Sequence, residues 1–138
     1  MVVQEVMTED PITAQSSPAI GTVLNTLFES DVRHLPIVDG DQLVGIVSDR
    51  DLRAFLAPSM LELEKPEDVR KRLAQPVSTV MNADVVSVTP ETDLSEVIEM
   101  MIDQKVGAVP VVQPGTDELV GIVSYIDVLR AAQDLFEE

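Results

Sequence analysis

The sequence predicts an α/β (α+β) fold of two β-α-β-β-α copies packed about a pseudo-twofold axis. Three observations predict it. The chain repeats itself, with Val6-Met7 recurring at Val80-Met81 and Pro36 at Pro110, 74 residues on, and Leu43 to Ser48 recurring intact as Leu119 to Ser124 after a turn two residues longer. Within each copy an apolar stripe at helical spacing is followed by two runs rich in β-branched residues. Finally, 138 residues with 45% apolar content and no cysteine can bury a core without disulfides, and no run of about 18 apolar residues suggests a membrane span.

The elements follow in order. Pro11 to Thr13 and Val85 to Val88 read as short extended pieces. Ser17-Pro18 supplies a helix cap with proline at the first helical position, and Ile20, Val23, Leu24, Leu27 and Phe28 form the stripe. Thr89-Pro90 opens the matching helix, whose stripe is Leu94, Val97, Ile98, Met101 and Ile102. Leu35 to Val38, the turn Asp39-Gly40-Asp41 and Leu43 to Val47 form a hairpin. Its counterpart runs from Val109 to Val112 and, after Gln113 to Asp117, from Leu119 to Val123. A second helix follows each hairpin, from Asp49 to about Ala57 and from Tyr125 to about Phe136. The organisation is therefore copy one at 1–57, a linker at 58–77 and copy two at 78–138. In the linker Pro66-Glu67-Asp68 starts a short helix ending near Ala74, with Arg70, Lys71 and Arg72 expected as a solvated face or, alternatively, a partner contact.

Charge and composition exclude several function classes. Nine basic against 25 acidic residues give a net charge of −16, divided as −6 over 1–57, zero over 58–77 and −10 over 78–138. A body this acidic repels nucleic acid and anionic membranes, so neither is an expected partner. With no cysteine and the single histidine His34, no metal centre is expected. Residues 1–10 carry three acidic residues and no Lys or Arg, unlike a secretory leader, and a cytoplasmic location is the expectation.

The sharpest motif is Gly-Ile-Val-Ser-x-x-Asp, present at Gly45 to Asp51 and at Gly121 to Asp127, where a strand hands over to a helix. Ser48 with Asp51, and Ser124 with Asp127, can form capping boxes. The same placement suits a ligand, because a helix N-terminus attracts phosphate and a carboxylate accepts two hydrogen bonds from a ribose diol. The two uses coexist, since a carboxylate has several acceptor sites.

These residues, with "VMTEDPIT … RHLPIVDGDQLVGIVSDRDL" and "VMNADVVSV … GAVPVVQPGTDELVGIVSYIDVL", closely resemble a tandem pair of CBS domains, a Bateman module. The resemblance implies a regulatory module that binds an adenosyl ligand in clefts between the repeats: AMP, ADP, ATP or S-adenosylmethionine. It also implies a homodimer. In the first cleft it assigns Asp51 and Ser48 to ribose and phosphate, with Ile12, Thr13, Leu35 and Pro36 around the base. In the second, Asp127 and Ser124 take those roles, with Val86, Ser87, Val109 and Pro110 around the base.

The copies differ where phosphate affinity is decided. Arg33, His34, Arg50 and Arg53 gather in copy one, whereas Gly107, Ala108 and Ile126 stand at comparable places in copy two. The expectation is a better phosphate site at Ser48 and Asp51. His34 as a packing residue, and Arg50 and Arg53 as a solvated helix face paired with Asp49, are the alternatives.

Catalysis is not expected: Ser48 and His34 lack an orienting acid, and Asp49 and Asp51, two apart on a helix, point to different faces. A sensor of this kind acts on an unknown effector protein, through a ligand-driven change in the angle between copies. The alternative function is a dimeric interaction module that binds no nucleotide.

Overall fold

A computed structural model describes residues 1–60 and 65–137, with the side chains of 58–60 left aside. Residues 61–64 of the predicted linker lie outside the described residues. The strands are β1 (Thr8–Glu9), β2 (Ala14–Gln15), β3 (His34–Asp39), β4 (Gln42–Ser48), β5 (Ala108–Val112) and β6 (Leu119–Ser124). The helices are α1 (Ile20–Ser30), α2 (Asp49–Met60), α3 (Pro66–Ala74), α4 (Leu94–Gln104) and α5 (Tyr125–Phe136). The fold is mixed α and β, with two three-stranded sheets among the described residues, ordered β1-β6-β5 and β2-β3-β4.

The compact units do not coincide with the sequence copies. The unit around Asp127 joins Met1–Pro11 and Asp41–Leu43 to Val86–Glu138, and the unit around Asp51 joins Ile12–Gly40 to Val44–Val85. Each is therefore assembled from both halves of the chain. In the Asp127 unit, β1 pairs antiparallel with β6, placing Thr8 opposite Ile122 and Glu9 opposite Gly121. In the Asp51 unit, Asn82 exchanges both backbone bonds with Ile46, at 2.8 and 3.0 Å. Offsets of 74 and 76 residues relate the two pairings, so each copy lends its opening segment to the other unit.

Two glycines explain the exchange. A Cβ on Gly45 would lie 2.6 Å from the Met81 sulfur and 3.1 Å from the Asn82 carbonyl oxygen. On Gly121 it would lie 2.8 Å from the Met7 sulfur and 3.0 Å from the Thr8 carbonyl oxygen. The repeated Val-Met and the repeated Gly are thus two halves of one contact, in which a borrowed methionine lies over a bare strand backbone.

The cores are built in parallel. Ile20, Val23, Leu27, Leu35, Ile37, Val47 and Leu52 pack with Val77, at the end of the predicted linker, in the Asp51 unit. Leu94, Val97, Val88, Val109, Val111 and Val123 pack with the borrowed Val3 in the Asp127 unit. Val3 and Val77 are both fully buried and sit in short 3₁₀ turns, Val3–Glu5 and Val77–Thr79.

The same turns correct the predicted helix starts. Ser17-Pro18 and Thr89-Pro90 do not cap the helices; Ala19 and Asp93 stand at the cap positions, and neither uses a side chain as cap. A backbone carbonyl from a distant segment accepts the first helical N–H instead: Gln75 O for Ile20 at 2.8 Å, and Met1 O for Leu94 at 2.9 Å. Thr89 and Thr92 meanwhile close a turn of their own, with Thr89 N–H donating to Thr92 Oγ1 at 3.1 Å. The reverse strap bonds, Val77 N–H to Pro18 O and Val3 N–H to Thr92 O, are both 2.8 Å.

Three further expectations move. Extended pairing begins later than Pro11 to Thr13, at Ala14–Gln15, parallel to Ile37 and Val38. In copy two the Val85 to Val88 piece contributes one parallel bridge, Val88 to Val111. Helix α2 runs past Pro58 to Met60, because proline removes only one N–H from the last turn. Elsewhere the hairpins and α5 lie where predicted. Gly40, at φ +66, opens the two-residue β3–β4 connection, the position where a type II′ turn wants glycine.

Helix α3 begins at Pro66 and ends at Ala74 as expected. Its cationic face is not wholly solvated, however. Arg72 is half-buried with its guanidinium 5.0 Å from the centre of the Phe55 ring, and it donates to the Phe55 carbonyl at 3.3 Å. Arg70 and Lys71 are exposed.

Candidate functional site

Both strand-to-helix handovers form complete capping boxes. At α2, Ser48 N–H donates to Asp51 Oδ2 at 3.0 Å and Asp51 N–H donates to Ser48 Oγ at 3.1 Å. At α5, Ser124 N–H donates to Asp127 Oδ2 at 2.9 Å and Asp127 N–H donates to Ser124 Oγ at 3.2 Å. The residue just before β3 or β5 satisfies one more amide at each end. Asp49 N–H reaches Arg33 O at 3.0 Å and Tyr125 N–H reaches Gly107 O at 2.9 Å. Among the described residues, the second helical amides, those of Arg50 and Ile126, find no such partner, so each helix end keeps an N–H and its positive dipole end unsatisfied there.

In the Asp51 unit, cationic side chains gather beside the start of α2. Arg33 and Arg53 both approach Asp49 Oδ2, at 3.6 and 3.8 Å. The two arginine side chains are 68% and 73% exposed, so each pair contributes at most about 1 kcal/mol, and an incoming phosphate can recruit either cation at small cost. Arg50 is exposed. His34 is half-buried at the start of β3, and burial holds its pKa below the ordinary 6.5, against the pull of Asp49 and Asp51 and with a small push from Arg33. At neutral pH the imidazole is therefore mainly uncharged, which leaves the arginines as the cations.

That shift has a consequence for stability. The folded state takes up the His34 proton at lower pH than the unfolded chain does. His34 thus contributes little to pH dependence well above 6.5, and stability falls as pH drops through 6.5 toward the folded value. Urea unfolding between pH 5 and 7.5 is expected to show this slope, and His34→Gln is expected to flatten it. An unchanged slope in the variant would rule the assignment out.

The residues assigned to the base divide by burial. Ile12 and Val86 are 44% and 43% exposed, two apolar side chains open to contact at matched positions. Leu35 and Val109, by contrast, are at 0% and 2% and belong to the cores, with Pro36 and Pro110 buried beside them. Thr13 and Ser87 are half-buried. Thr13 leads directly into β2, and β2 pairs with β3. Just after Ser87, Val88 N–H donates to Pro110 O at 3.1 Å. The structure thus brings Ser48 to Asp51, Ser124 to Asp127, and Arg33 and Arg53 to Asp49.

One contact has no counterpart in the sequence reading. Thr8 Oγ1 lies 3.3 Å from both Asp127 oxygens, 119 residues away in the chain. The signal available was its place directly after the repeated Val-Met, where copy two has Asn82 instead. Among the described residues no group of three or more His, Cys, Asp or Glu side chains could hold a metal ion. No helix among them is long and apolar enough to cross a membrane.

Comparison with known proteins places this geometry. The family model described as "CBS domain" matches residues 3–58 and 77–134. The chain is 31% identical over 127 residues to the inosine-5'-monophosphate dehydrogenase of Methanocaldococcus jannaschii, covering 91% of this chain but 22% of that enzyme. Two solved structures match over nearly their whole length. The CBS domain pair of protein MJ0100, in complex with 5'-methylthioadenosine and S-adenosyl-L-methionine, has a TM-score of 0.81 at 26% identity, with 97% of each chain covered. CBSX2 in complex with AMP has a TM-score of 0.82 at 27% identity, covering 99% of this chain and 98% of that one.

Proposed function

The chain belongs to the CBS domain family, and on that premise we propose that it is a regulatory, non-catalytic module that binds an adenosyl ligand and signals to an effector protein through a conformational change. One observation carries the reading. The Ser-x-x-Asp box is formed at the start of both α2 and α5, in a family whose similar structures include complexes with AMP and with S-adenosylmethionine. Ser48, Asp51, Ser124 and Asp127 are the ribose and phosphate residues of this proposal. Ile12 and Val86, the exposed apolar side chains, offer the base its surface, with Thr13 and Ser87 beside them. Arg33 and Arg53, drawn from Asp49, meet the phosphate, and Arg50 and His34 assist. A charged phosphate therefore favours the Asp51 unit, and AMP, ADP and ATP suit it better than a cationic sulfonium ligand.

A homodimer accords with the large apolar side chains left open on the helices: Phe28 at 75%, Leu129 at 59% and Phe136 at 87% exposed. Copies at 1–57 and 78–138 with a 58–77 linker, and a cytoplasmic setting, complete the proposal.

A thermal-shift panel of AMP, ADP, ATP and S-adenosylmethionine tests it. A ligand at 100 times its dissociation constant adds about 2.7 kcal/mol, an upward shift of several degrees for a chain of this size. No shift with any member of the panel would favour an interaction module that binds no nucleotide.

A further inference from the structure

The two carboxylates that the sequence makes equivalent are not equally available. Asp51 Oδ2 accepts the Ser48 amide at 3.0 Å, and Oδ1 accepts no hydrogen bond among the described residues. Asp127 Oδ2 accepts the Ser124 amide at 2.9 Å, and the Thr8 hydroxyl faces both Asp127 oxygens at 3.3 Å. Asp127 is also the more enclosed, at 9% exposure, and is the buried charged residue of the described core.

The difference comes from one side chain on an otherwise matched backbone. Thr8 sits opposite Ile122 in the β1–β6 pairing, and Asn82 holds the corresponding place against Ile46. The Asn82 amide oxygen, however, is turned to its own backbone, where it accepts the Asp84 N–H at 3.0 Å. The segment exchange thus delivers a hydroxyl to one carboxylate and withholds it from the other.

We propose that Thr8 is an internal competitor for the Asp127 carboxylate, so that the chain takes one ligand at Asp51 while a latent second site at Asp127 opens only when the Thr8 hydroxyl leaves. This rests on the reading that both carboxylates receive a ribose diol. A diol donates two hydrogen bonds to the lone pairs that Thr8 Oγ1 faces, and the hydroxyl satisfies them without a ligand. The 3.3 Å distances mark a weak, shared bond, which one rotation about χ1 releases. The copy-two site is therefore restrained by a rotatable group, independently of its shortage of cations.

Calorimetric titration of the full chain with AMP tests this. The wild type is expected to bind one equivalent tightly. Thr8→Val, which keeps shape and strand preference but removes the hydroxyl, is expected to tighten the second site about tenfold, the low end for a hydrogen bond to a charged group. Thr8→Val with Asp51→Ala is expected to leave one site, at Asp127. Thr8→Ser is expected to behave as wild type, and Asn82→Thr to weaken the Asp51 site. Second-site binding unchanged or weakened by Thr8→Val overturns the competitor role and leaves the ribose reading standing. Absence of AMP binding by both wild type and Thr8→Val overturns both.

Discussion

Gly121→Ala is expected to lower the thermal unfolding midpoint by about 5–15 °C, and Gly45→Ala by at least as much. The added methyl would stand 2.8 Å from the Met7 sulfur and 3.0 Å from the Thr8 carbonyl oxygen in the first case, and 2.6 and 3.1 Å from the Met81 sulfur and Asn82 carbonyl oxygen in the second. Overpacking of this kind costs about 1–3 kcal/mol, and each kcal/mol moves the midpoint by roughly 3–6 °C at this chain length. The sulfur can swing away, but the carbonyl belongs to a paired backbone and cannot. Met7→Ala is therefore expected to relieve Gly121→Ala only in part. Gly21→Ala is the control, because its methyl would meet the Leu73 carbonyl oxygen at an ordinary 3.5 Å inside α1, where alanine is favoured over glycine by about 1 kcal/mol. Scanning calorimetry of the four variants decides the matter, and a Gly121→Ala midpoint equal to wild type would show that the borrowed strand is not held at this distance.

Asp51→Ala is expected to weaken AMP binding about 10- to 100-fold. A hydrogen bond to a charged group contributes about 1.5–3 kcal/mol, and the carboxylate is proposed to accept from the ribose diol. The same change removes half of a capping box, with an expected loss of about 1 kcal/mol in stability. The two effects separate in Asp51→Asn. Its amide oxygen still accepts the Ser48 N–H, so stability is expected to hold, while the lost charge still reduces affinity. Calorimetric titration beside urea unfolding measures both quantities. Undiminished AMP affinity in Asp51→Ala would remove the carboxylate from the proposed site.

The candidate site was legible because its parts are local. Ser48 and Asp51, three residues apart at a strand end, cap the helix by short-range geometry alone, and the same holds for Ser124 and Asp127. The β-branched runs and the Gly40 turn were legible for the same reason. The helix starts were not, because Gln75 and Met1, far away in sequence, replace the expected caps at Ile20 and Leu94. Arg72 likewise read as a solvated cation, since nothing near it in sequence announces the Phe55 ring.

By itself the sequence determined the duplication, the order of elements, the paired Ser-x-x-Asp boxes and the excess of cations in copy one, all properties of nearby residues or of simple periodicity. Only the tertiary structure decided which Val-Met covers which glycine, and that Thr8 rather than Asn82 reaches a carboxylate. Those outcomes depend on an exchange of segments more than 70 residues apart, and no local pattern reveals which of two equivalent strands a segment will join.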